Sequence, residues 1–124
     1  MNSPQMEIRR CEQVIKTFED IKEPKNNDVN KKDGNTFKNL YFAKGVENLF
    51  KIAQDHYSRK KPTLWQRITR STYAKDYAEQ EKNIKKFAKL IKERSGKDTS
   101  LLDTLSNRDK FLKDPELVAH NINM

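Results

Sequence analysis

The chain has 124 residues, of which 34% are apolar and 35% charged, which suits one domain around a modest core. It carries 26 basic and 18 acidic side chains, for a net charge of +8. One Cys excludes an internal disulfide, three Gly cannot furnish a Gly-rich phosphate loop, and no apolar run approaches the ~20 residues of a bilayer span.

Ser3 before Pro4 predicts a helix start, a capping hydroxyl followed by proline at the first helical position. Ile8, Cys11, Ile15 and Phe18 then recur at spacings of three and four, and Val14 and Ile21 widen the same face. This first helix should end near Lys22, because Pro24 disfavours helix at Glu23. Residues 23–35 hold one apolar side chain, Val29, too little to repay the entropy of ordering them, and predict a mobile loop. Asp28, Asn30 and Lys32 alternate as in a calcium loop, but Asp33 stands where the glycine belongs and Asn39 where the closing glutamate belongs.

The second helix should run from Thr36 to about Lys60 and be the most buried, since Phe37, Leu40, Tyr41, Val46, Leu49, Phe50, Ala53 and Tyr57 cover more than one stripe. Gly45 inside it predicts a close helix crossing. Pro62 ends the segment. Thr63 and Gln66 have the spacing of a capping box, opening a short helix whose apolar face is Leu64, Trp65 and Ile68. Tyr73, Tyr77, Gln80, Ile84, Phe87 and Ile91 follow as a seam. On one straight helix the two apolar faces would point apart. A break at residues 70–72 is therefore expected, with Ser71 or Thr72 capping the next helix. Gly96 suits a helix stop. Beyond it Ser100, Ser106 and Asp114 read as starts of short helices carrying Leu101, Leu102, Leu105, Phe111, Leu112, Leu117, Val118 and Ile122. The expected fold is all-α: one domain over residues 1–124, a compact bundle of four to five helices.

Charge is uneven. Residues 35–97 carry 16 basic and 6 acidic side chains, a local +10, and no acid falls between Asp55 and Asp76. Such a middle attracts acidic protein surfaces or polyanions. Two clusters stand out. Arg59, Lys60, Lys61, Trp65, Arg67 and Arg70 combine cations with an aromatic, the composition of a protein-binding hot spot. Trp65 also has a plainer reading, as a plug at the end of the core. Lys82, Lys85, Lys86 and Lys89 share one helix face opposite the seam and could track phosphates, which makes nucleic acid the alternative partner. Residues 63–87 have about the size of a helix-turn-helix but lack its glycine and carry Asp76, Glu79 and Glu81 on the second helix.

Catalytic patterns are sparse. Cys11 sits on an apolar helix face, as a small buried hydrophobe does. Two His and one Cys, far apart in sequence, do not make a zinc set. Glu19 with Asp20, and Glu79 with Glu81, are too close in sequence to share a helix face. The expectation is a non-enzymatic module with no metal and no cofactor, monomeric or weakly homodimeric.

The stretch Lys60-Lys61-Pro62-Thr63-Leu64-Trp65-Gln66-Arg67-Ile68, in a Lys- and Asn-rich, Cys-poor helical chain, resembles segments of type IV-secreted effectors of the Legionella kind. The resemblance implies a small helical protein that binds and inhibits or regulates a larger effector enzyme or a host protein. The first five residues lack the apolar core of a signal peptide, so the expected location is cytoplasmic, with delivery into a host cell by a signal-peptide-independent route. The C-terminal end departs from the pattern in lacking a Glu-rich patch.

Overall fold

The computed structural model of the protein describes residues 3–23, 31–113 and 116. Among these the secondary structure is helical, without strands, in six elements: α1 (Pro4–Asp20), α2 (Lys31–Tyr57), α3 (Leu64–Ile68), α4 (Thr72–Ser95), α5 (Ser100–Leu105) and α6 (Arg108–Lys113). The all-α bundle expected from periodicity is the fold observed, with one short helix more than the four to five anticipated. No helix among the described residues is long and apolar enough to cross a membrane.

The three long helices make the core. α4 packs along α2 and α1, and its seam residues Tyr77, Gln80, Ile84, Phe87 and Ile91 are all buried there. The seam is thus intramolecular. Ile8, Cys11, Ile15 and Phe18 of α1 meet it from one side, and Tyr41, Val46, Leu49, Ala53 and Tyr57 of α2 from the other. Phe18 stands edge-on to both Tyr41 and Phe87, joining the three helices through aromatic contacts. α5 and α6 close the far end of α2 with Leu102, Leu105 and Phe111.

Ends are fixed by polar groups. Ser3 Oγ accepts from the Met6 N–H at 3.2 Å. α1 has no basic residue in its last turn, but Arg94 of α4 donates to the carbonyls of Glu19 (2.9 Å) and Ile21 (3.1 Å) and supplies the cation there. Two buried tyrosines donate to carbonyls: Tyr41 to Phe18 and Tyr57 to Leu105, each at 2.9 Å. Gly96 ends α4 in the left-handed region at φ 69°.

Several boundaries differ from expectation. α2 begins at Lys31, so part of the stretch expected to be loop, residues 31–35, is helix; propagating an existing helix needs no new nucleus. The rest of that loop, from 24 to 30, lies outside the described residues, as do Asp114, Leu117, Val118 and Ile122. Ser100 is the first residue of α5 rather than its cap. At α6 the capping oxygen belongs to Asn107, accepting from the Lys110 N–H at 3.0 Å, rather than to Ser106. Leu40 and Leu112, expected in the core, are exposed.

Candidate functional site

The turn after Lys61 builds an unusual local structure. Thr63 Oγ1 accepts from the Gln66 N–H at 3.1 Å, and Gln66 Oε1 accepts from the Thr63 N–H at 2.9 Å, closing the capping box. At the other end the Ser71 N–H donates to the Gln66 carbonyl (3.0 Å) and the Arg70 N–H to that of Arg67 (3.3 Å), a Schellman closure. Arg70 takes the left-handed position, φ 53°, that glycine usually fills. Ser71 is at once the residue that closes α3 and the cap of α4, its Oγ accepting from the Ala74 N–H at 3.2 Å. The expected break is present, at the expected residues.

With both ends fixed, the orientation of α3 follows. At ~100° per residue, Leu64, Ile68 and Trp65 share an arc of about 100°, while Gln66, tied into the box, lies opposite. Gln66 is partly covered, and the apolar arc points outward. Leu64 is 72% exposed, Trp65 72% and Ile68 65%. α3 is amphipathic the wrong way round for a core helix. The plug reading of Trp65 is therefore corrected. Among the helices α3 packs on α4 alone, and no buried residue belongs to it.

The ridge of α3 stands between two depressions. On one side a cleft of about 710 Å³ is lined by Glu7, Asp55, Arg59, Lys60, Gln66 and Tyr73 among others. On the other a groove of about 240 Å³ runs past Pro62, Arg67, Ala74, Tyr77 and Glu81. Arg59 belongs to the cleft's framework. Its guanidinium holds the Glu7 carboxylate through two contacts of 3.0 Å, Nε to Oε2 and Nη2 to Oε1, both groups largely covered. That hydrogen bond raises the pKa of Arg59 above its ordinary value. Burial, then the charge of Glu7, pushes the Asp55 carboxyl upward. Tyr73 donates to the Lys60 carbonyl, pinning the chain just before the turn. No sequence signal links Glu7 to Arg59, 52 residues apart.

The residues expected to bind a partner thus divide. Arg59 faces inward to Glu7. Lys61 lies 3.9 Å from Asp109. The side chains of Lys60, Arg67 and Arg70 make no ion pair with the described residues, and Trp65 stands exposed on α3. The lysine face of α4 is also outward. There Lys86 is 4.0 Å from Glu19 and Lys89 4.0 Å from Glu93, whereas Lys82 and Lys85 have no acidic partner among the described residues.

Next to the cleft, sharing Glu7, Arg59 and Tyr73 with it, lies His56. It is buried, its ring centroid 4.2 Å from that of Tyr77, and its Nε2 is 3.9 Å from Glu81 without a hydrogen bond. Burial, reinforced by the charges of Arg108 and Arg59, lowers its pKa to about 4. Cys11 is wholly buried, and burial, then Glu12, pushes its thiol up to about 12, so it is neither ionised nor accessible. No three His, Cys, Asp or Glu side chains gather as a metal site would need, among the described residues.

Compared with protein-family models, curated proteins and solved structures, the chain matches none.

Proposed function

We propose that the protein is a non-enzymatic helical interaction module that binds a partner protein through α3 and thereby regulates or inhibits it. The observation that carries this reading is the outward-facing apolar arc of Leu64, Trp65 and Ile68 on a helix fixed at both ends. Leaving such side chains in water forgoes about 1.5–3 kcal/mol for each of Leu64 and Ile68, which internal packing could have gained and a partner can still gain. Because the caps hold α3 in place, little ordering entropy opposes binding. A Trp and an Arg, both exposed on one short helix, have the composition of hot spots. The cations Arg67 and Arg70 favour an acidic surface on the partner. Regulation or inhibition, and delivery as an effector, rest on the resemblance of residues 60–68 alone.

The test is retention from lysate on the tagged chain, with and without nuclease, compared with a Leu64→Asp/Ile68→Asp variant of matched thermal stability. The expected result is a discrete protein held by the parent and lost by the variant. A charge-reduced control, Lys82→Gln/Lys85→Gln, should retain it. Equal retention by parent and α3 variant overturns the reading. Retention of nucleic acid instead, lost in the lysine control and at high salt, points to polyanion binding by α4.

A further inference from the structure

We infer that the site on α3 is read by a protein presenting an apolar groove with carboxylates along one rim only, so that the α3 ridge enters in a single direction. The inference rests on the reading of α3 as the contact element and names the partner's chemistry. Three observations carry it. First, α3 projects from the body: it packs on α4 alone, none of its residues is buried, and Leu64, Trp65 and Ile68 are each about two-thirds exposed or more, so a concave surface covers its apolar arc best. Second, the two flanks of the arc differ. Taking Leu64 as zero, Ile68 and Trp65 fall near 40° and 100°, Arg67 near 300° and Thr69 near 140°. The flank beside Leu64 is therefore cationic. The flank beyond Trp65 is a threonine whose hydroxyl is turned to the Trp65 carbonyl, 2.9 Å away. Third, the Arg67 side chain is exposed and makes no ion pair with the described residues, although Glu81 lines the same groove.

A second copy of the chain fits poorly, because two such ridges would bring like charges together. A flat anionic bilayer also fits poorly. Lys61, at the base of the ridge, stands 3.9 Å from Asp109, whose side chain is 85% exposed, so a planar surface touching the basic residues would meet this acid as well. A groove admits α3 and leaves Asp109 outside.

The experiment places the photoreactive residue benzoylphenylalanine at position 65 of the full chain, and separately at position 82, and irradiates each in lysate. Crosslinked peptides are sequenced and mapped. The expected result is a crosslink from position 65 into an apolar groove that has Asp or Glu on one side. Arg67→Glu should then weaken binding by at least about tenfold, and Lys at the facing partner carboxylate should restore it. Thr69→Glu, on the opposite flank, should not be rescued by that partner change. A protein crosslink from position 82 with none from 65 overturns the α3 reading itself. A crosslink from 65 into a pocket without carboxylates, or unchanged binding by Arg67→Glu, overturns only the one-sided acidic groove. Crosslinks from 65 to lipid or to a second copy overturn both.

Discussion

Gly45 of α2 lies so close to Ile91 of α4 that a β-carbon added there would stand 2.7 Å from Ile91 Cγ1 and 3.0 Å from Cδ1. Ile91 is wholly buried and has no room to retreat. Alanine would gain about 1 kcal/mol of helix propensity, but the clash should outweigh it, since overpacking costs typically ~1–3 kcal/mol. Gly45→Ala is expected to lower stability by about 1 kcal/mol net. The same substitution should cost less in an Ile91→Ala background, which lacks both Cγ1 and Cδ1 although it is destabilising alone, and urea unfolding of the four proteins measures the coupling.

Arg70 carries the opposite expectation. Its left-handed backbone is unfavourable for an L-residue with a β-carbon. Arg70→Gly should raise stability by roughly 0.5–1 kcal/mol while removing a charge from the proposed interface. Higher thermal stability with weaker partner binding in one variant would separate the fold's requirement at this position from the interface's. A lower melting temperature would contradict the closure described for α3.

His56 makes stability depend on pH. Its folded pKa, about 4, lies below the ordinary 6.5, so the unfolded chain binds the proton more readily. Its contribution is fully present above pH 6.5 and is lost as pH falls through that value towards 4. The whole effect is on the order of 3 kcal/mol. His56→Phe should flatten the stability profile in that window and leave the carboxylate-driven loss at lower pH. Equal slopes for parent and variant between pH 6.5 and 4.5 would refute the assignment.

Cys11 should behave as an inert thiol. In the native protein it is expected to resist a disulfide exchange reagent at pH 8 and to react fully once the chain is unfolded in denaturant. Fast native labelling would mean that α1 separates from α4 far more often than its packing allows.

Much of the fold was readable because it rests on local signals. Spacings of three and four placed α1 and the α4 seam, and Ser3, Thr63, Ser71 and Gly96 acted as the punctuation they resemble. The opposed wheel positions of Leu64 and Ile84 required a break at residues 70–72, and it is there. What periodicity could not tell is where the freed helix then points. Three apolar residues in sequence read the same whether they face a core or water, and it is the joint at Ser71, closing α3 and capping α4 at once, that holds α3 with Trp65 outward. The cleft was illegible for another reason: Glu7 and Arg59 meet through the packing of α1 on its neighbours, not through any spacing. Arg59 consequently read as a surface cation when it is a structural one.

Ser71 serves two helices, and this makes the joint intolerant of length change. One residue inserted between Thr69 and Thr72 would need a new partner for the Gln66 carbonyl and would part the residue that closes α3 from the one that caps α4, so the Leu64 arc would lose its fixed angle to α4. A deletion would remove either the left-handed residue or the shared cap. Point substitutions at the joint leave the aim of the ridge intact, whereas a frame-preserving codon gained or lost there would swing it away from whatever it meets, with the rest of the bundle undisturbed.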